Sequence, residues 1–152
     1  MCLDLDRTIR LGEKWDVTAT AIPTTGPDAA KYEEEAYIFS QLGKGSYTDS
    51  EVQWAAWSIF SPGDNGNAAF DLAAHQLVAD AVAAVTTGPG LSSVFLSHYV
   101  LYIPTGDHTG WTDGIPQEFI GVAQTPEPSS LVLLGSGLLG VAGAVRRKLA
   151  RA

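Results

Sequence analysis

The 152-residue chain is poor in the residues that staple or metallate small proteins: one cysteine, one methionine and three histidines. A single thiol excludes a disulfide scaffold, and His75, His98 and His108 offer no pair at metal-ligand spacing. Basic residues are scarce as well. Nine Lys and Arg against 17 Asp and Glu leave a net charge of -8, which excludes a nucleic-acid binder working through a basic face. The 16 glycines and 8 prolines follow no period, so collagen-like and proline-rich architectures drop out. What is present, 45% apolar and 9% aromatic residues, suffices for one domain with a buried core plus a tail.

The charge is unevenly spread. All 17 acidic residues lie at or before Glu127, whereas Arg146, Arg147, Lys148 and Arg151 supply four of the nine basic ones, so the body with its linker carries -12 and the tail +4. Between them, residues 131–145 read LVLLGSGLLGVAGAV without a charge. As a helix those residues would extend about 22 Å. With Ser129 and Ser130 the segment reaches the short end of the ~17–25 residues that cross a bilayer core. Apolar around its whole circumference and stopped by a basic cluster, it reads as a transmembrane helix at 131–145, with residues 146–152 as a cytoplasmic tail. The positive-inside rule then puts Arg146, Arg147 and Lys148 in the cytoplasm and the acidic body, residues 1–123, on the far side. Gly135, Gly137 and Gly140 also spell Gly-x-Gly-x-x-Gly, but no strand precedes them and an apolar span cannot solvate a pyrophosphate.

Residues 124–130 form the linker, in which Pro126, Glu127 and Pro128 hold the backbone extended and accessible. The order Pro-Glu-Pro, small residues, short apolar helix with glycines, then Arg-Arg closely resembles the PEP-CTERM sorting tail of Gram-negative bacteria. That resemblance implies an exosortase as partner, release or transfer of the body at the surface of an exopolysaccharide-producing cell, and an inner-membrane anchor before processing. Pro126, Glu127 and Pro128 are then recognised residues and not catalytic ones. Similar tails end some ice-binding proteins, so an ice-binding label is also expected for this segment. Export needs a signal, yet Met1 to Asp6 has neither a basic start nor an apolar stretch, so a signal peptide is expected upstream of Met1.

Within the body, Trp15, Val17, Ala19 and Ala21 alternate with Lys14, Asp16, Thr18 and Thr20, which predicts a half-buried strand over 14–22. A helix follows over 31–42, with Glu33, Glu34 and Glu35 in its first turn compensating the dipole. Gly43 and Gly45 end it. Thr48 and Glu51 form a capping box for a second helix over 49–60, with Val52, Ala56, Ile59 and Phe60 on its core face. A third helix spans 68–85 through Phe70, Ala74, Leu77, Ala81 and Val85, and strands return at 94–103 and 118–123. Strands at both ends with two to three helices between them make a small α+β domain, followed by the single C-terminal transmembrane helix.

Chemistry is sparse. Gly43 to Ser46 lacks P-loop spacing, the 61–67 turn fails calcium-loop spacing, and no Gly-x-Ser-x-Gly elbow supports a hydrolase built on His98 or His108. No cofactor, metal or catalytic residue is expected. An exported thiol without a second cysteine stays free, couples between chains, or bonds to something other than sulfur. Gln53 shares a helix stripe with Trp57 and Phe60, and a carboxamide against aromatics is costly unless hydrogen-bonded or reacted.

Cys2-Leu3-Asp4 and Gln53-Trp54-Ala55-Ala56-Trp57 resemble the thioester domains of bacterial surface adhesins, with Val52, Ala56 and Met1 departing from the usual residues. The resemblance covers residues 1–60 and implies an internal Cys2–Gln53 thioester sheltered by Trp57, opened once by a surface amine or hydroxyl. The expected function is an exported, exosortase-processed surface or matrix protein with a non-enzymatic binding body, and the alternative is a covalent adhesin.

Overall fold

The structure is a computed structural model that describes residues 1–5, 7, 14–62, 70–87, 90–105, 116–124, 133–139, 141 and 146–147. The elements run β1 (Asp16–Ala21), α1 (Ala29–Phe39), α2 (Asp49–Phe60), α3 (Leu72–Thr86), α4 (Ser93–Leu96), β2 (Tyr99–Thr105) and β3 (Phe119–Val122). The α+β class and its order of strand, helices, strands are as the sequence predicts. The three strands form one antiparallel sheet in the order β1-β2-β3. Residues 1–3 extend it along the free edge of β3: Cys2 pairs with Phe119, the Leu3 N–H donates to the Glu118 carbonyl at 2.9 Å, and the Ile120 N–H donates to the Met1 carbonyl at 2.9 Å.

Two apolar clusters hold the body together. Leu3, Ile22, Ala36, Leu96, Leu101 and Ile120 fill the space between the sheet and α1. Ile38, Val52, Ala55, Ala56, Phe70, Ala74, Leu77 and Ala81 fill the space among α1, α2 and α3. Helix α1 therefore serves both, and small alanines on α2 and α3 let the helices approach closely. Thr48 and Glu51 make the reciprocal capping box at the start of α2, and Asp71 caps α3 by accepting from the Ala73 and Ala74 amides. Each cap contributes about 1 kcal/mol. Gly43 and Gly45, at φ 72° and 81°, turn the chain between α1 and α2.

Several expectations are corrected. In β1 the apolar set points outward: Thr18 and Thr20 pair with Ile103 and Leu101 on the inner face, while Val17, Ala19 and Ala21 share the outer face with Pro104, Tyr102 and Val100. Alternation specifies two faces but not which one is covered. Helix α1 begins at Ala29, two residues earlier than expected, so the acidic trio misses the first turn and Glu35 is buried. The stretch before β2 forms α4, capped by Ser92, because Ser97 and His98 turn the chain before the strand starts at Tyr99.

Residues 133–139 are helical, with Leu133, Leu134, Leu138 and Leu139 exposed. Among the described residues no helix is long and apolar enough to cross a membrane. A run of that length extends only about 10 Å at 1.5 Å per residue, so the transmembrane helix expected over 131–145 is not supported by the described stretch. Residues 131–132, 140 and 142–145 of that expectation lie outside the described residues, as do Pro126, Glu127, Pro128, Lys148 and His108.

Candidate functional site

The strand at residues 1–3 decides where Cys2 points. Met1 and Leu3 carry the backbone groups bonded to β3 and pack with the apolar clusters, whereas the carbonyl of Cys2 is turned away from the sheet. That outward carbonyl accepts a hydrogen bond from Gln53 Nε2 of α2 at 2.7 Å. The Gln53 carboxamide thus satisfies a strand-edge acceptor that would otherwise be buried unpaired. Trp57, one turn along α2, is held edge-on by Trp54 with ring centroids 5.0 Å apart. Its indole nitrogen is buried and has no hydrogen-bond partner among the described residues. The structure therefore brings Cys2, Gln53 and Trp57 together across more than fifty residues of sequence.

A fourth residue completes the group. Gln117, just before β3, is buried and lies two residues before Phe119, the bridge partner of Cys2. The Cys2 Sγ–H donates to Gln117 Oε1 at 2.7 Å and lies 3.6 Å from the Asp4 carbonyl. Gln117 Nε2 donates to the backbone carbonyls of Asp4, at 2.7 Å, and of Arg7. Each polar atom of this carboxamide has a fixed partner, so it cannot rotate freely. The strap from residue 1 to residue 7 is secured further: Asp4 Oδ2 accepts from the Glu118 amide at 3.1 Å and lies 3.5 Å from Arg7 Nη1, which also donates to the Pro116 carbonyl at 3.3 Å.

Of the two glutamines, Gln53 therefore contacts the cysteine backbone and Gln117 contacts the sulfur. The sequence offered no local sign of this, because Gln117 follows a long polar loop and reaches Cys2 only through strand pairing.

Burial pushes the Cys2 thiol above its ordinary range; the Trp57 indole and the Asp4 backbone oppose that rise, and the Asp4 carboxylate adds to it. Glu35 is fully buried with both carboxylate oxygens lacking a hydrogen-bond partner among the described residues. Burial pushes its acid well above the usual carboxylate range, and the charges of Glu34 and Asp4 push it further. Tyr32, whose hydroxyl donates to Glu118 Oε2 at 3.0 Å, is raised by burial and by that same carboxylate.

On the outer sheet face a groove of about 680 Å³ is lined by Met1, Lys14, Trp15, Val17, Tyr102 and Phe119, among others. Trp15 and Phe119 stack at 6.1 Å, and the Tyr102 ring lies over Gly121, where a Cβ would come within 3.0 Å of it. Phe119, in the lining of this groove, is the cross-strand neighbour of Cys2. The histidines take no part: His75 is exposed on α3 against Phe70, and exposed His98 has Nδ1 2.7 Å from the Val94 carbonyl. Among the described residues no group of three His, Cys, Asp or Glu could hold a metal ion.

Comparison with known families decides the tail. Residues 124–148 match the PEP-CTERM protein-sorting motif. The PEP-CTERM match marks an exported protein processed by an exosortase at the membrane, and it takes in Pro126, Glu127, Pro128, Arg146, Arg147 and Lys148. Neither the ice-binding label expected for the tail nor the likeness of residues 1–60 to thioester domains finds support in this match. No curated protein and no solved structure matches the chain.

Proposed function

We propose that this chain is a cell-surface or matrix protein of a Gram-negative, exopolysaccharide-producing bacterium, anchored in the inner membrane through residues 131–145 until its exosortase acts. The body is then a non-enzymatic interaction module. The observation that carries this reading is the sorting-motif match at residues 124–148, with Arg146 and Arg147 following an apolar stretch. The test is fractionation of the protein, expressed with an export signal, in cells with and without an exosortase. A processed body at the surface is expected in the first strain and an unprocessed membrane-bound chain in the second. A chain that stays cytosolic in both overturns the proposal.

A second reading, a covalent adhesin, is favoured by one contact, the Cys2 sulfur against Gln117 Oε1. In this reading Gln117, and not Gln53, supplies the acyl carbon. The Cys2 sulfur bonds to Gln117 Cδ, the Cδ–Nε2 bond breaks, and the thiol proton leaves with the amide nitrogen as ammonia. The Asp4 and Arg7 carbonyls that hold Nε2 are positioned to accept hydrogen bonds from the departing ammonia. A primary amine on a target then bonds to Cδ and releases Cys2 as a thiol, which conserves every atom and happens once per molecule. Gln53 holds the Cys2 carbonyl in place throughout. Intact mass tests this: the purified chain is lighter by one ammonia, methylamine adds its own mass, and Gln117→Glu abolishes both changes whereas Gln53→Glu does not abolish the first. A fully alkylatable Cys2 with no mass deficit overturns it.

A further inference from the structure

We propose that two copies of this chain pair edge to edge through β1, joining their sheets into one antiparallel sheet with a two-fold axis at Ala19. The pairing is independent of how the tail is processed and of any bond at Cys2. Among the described residues β1 is an end strand, paired with β2 alone. The ladder fixes which of its backbone groups are already used. The Ala123 N–H donates to the His98 carbonyl at 2.7 Å, so alternate residues from there, Val100, Tyr102 and Pro104, turn their backbone groups to the β3 side. Leu101, Ile103 and Thr105 then bond to their β1 partners Thr20, Thr18 and Asp16. Pro104, which has no N–H, accordingly stands opposite Val17 in a pair that exchanges no bonds. The N–H and C=O groups of Val17, Ala19 and Ala21 therefore point away from the sheet. Of these the Ala21 carbonyl has a side-chain contact, the Thr20 hydroxyl at 3.4 Å.

Three features fit this edge to a second copy. The strand lacks the devices that keep edges apart: Asp16–Ala21 holds no lysine and no proline, and its register with β2 is unbroken. Every residue of β1 but Thr20 is exposed, and α1 lies against β3 instead, so β1 projects beyond the helices with room for another strand beside it. The second feature is self-complementarity. A two-fold at Ala19 sets Ala19 against Ala19 and Val17 against Ala21, so all the outward residues exchange both bonds. Thr18 then meets Thr20 of the second copy, a favourable cross-strand pair. Asp16 meets Ile22, which leaves the two Asp16 carboxylates about 20 Å apart. A two-fold at Ala21 would set Ala19 against Pro23, which cannot donate, and one at Val17 would make the two Asp16 residues diagonal neighbours. The third feature is closure. At the far edge of the sheet the outward Cys2 carbonyl already accepts from Gln53 Nε2 at 2.7 Å, so strand addition stops at two copies and does not run on into a fibre.

Light scattering coupled to size exclusion, on the full chain in detergent micelles, is expected to give the protein mass of a dimer. Ala19→Pro removes the N–H at the two-fold and leaves the bonds between β1 and β2 in place. It is expected to halve that mass with the far-UV circular dichroism unchanged. A monomeric wild-type chain, an assembly larger than a dimer, or a folded Ala19→Pro chain that stays dimeric overturns the proposal. Where Ala19→Pro does not fold, cysteine cross-linking decides. In a Cys2→Ser background, Ala19→Cys is expected to form a disulfide-linked dimer on mild oxidation, because bonded antiparallel pairs hold their Cα atoms about 5.5 Å apart. Ala21→Cys is not, since the two copies of that position are offset by about 13 Å along the strands. No cross-link at position 19, or equal cross-linking at both positions, overturns the proposal.

Discussion

The body and the tail treat the same residue type in opposite ways. Leu3, Leu77 and Leu101 are at most 1% exposed, whereas Leu133, Leu134, Leu138 and Leu139 are 61 to 77% exposed. Leucines of the first kind are spent on folding. Those of the second contribute nothing to either cluster and lie within the stretch that matches the sorting motif. Folding and sorting are thus written into separate parts of one chain, and each is expected to survive damage to the other.

The largest expected effect is on sorting. Replacing Pro126, Glu127 and Pro128 with alanine is expected to abolish exosortase processing, seen as an unprocessed chain on an immunoblot, while the thermal unfolding midpoint of the body does not move. The converse variant is Leu101→Ala, which removes a buried side chain between β2 and α1 and is expected to cost about 2–5 kcal/mol in urea unfolding. Any of this protein that folds should still be processed. A tail change that shifts body stability would break the separation.

Glu35→Gln sharpens the comparison within the body. The native acid is raised above its unfolded value, so the unfolded chain releases its proton first and stability falls as pH rises from the ordinary carboxylate range toward the native value. The substitution is expected to stabilise at pH 7 and to have almost no effect near pH 3, where both states hold the proton. Urea midpoints at the two pH values check this. The smallest effect is expected for Gln53→Leu, which leaves the Cys2 carbonyl without its donor and should cost about 1–2 kcal/mol.

Much of the body was legible from local signals. The capping box at Thr48 and Glu51 placed α2 at its observed bounds, and the apolar stripe of Ala74, Leu77 and Ala81 identified the buried face of α3. The sorting tail was legible because Pro-Glu-Pro, an apolar run and Arg-Arg are contiguous in the chain. What depended on distant partners was not. The outer face of β1 carries the apolar set because Thr18 and Thr20 pair with the covered side of β2, a register no local window contains. Glu35 could not be read as buried without knowing that residues 1–4 lie against α1. The site was half legible: Cys2, Gln53 and Trp57 share one locality, but the contact on the sulfur comes from Gln117, brought there by pairing between the first residues and the last strand.

That last position has a mechanical consequence. Gln117 lies two residues before β3, and the sorting-motif match begins at residue 124, two residues after the strand ends. A target joined through Gln117 would be linked to the sorting segment through this one short strand, leaving the helices and both apolar clusters off the line of force. The domain could then bear tension between two surfaces without being unravelled by it, and Cys2, no longer bonded, would remain clipped to the strand under load by hydrogen bonds alone.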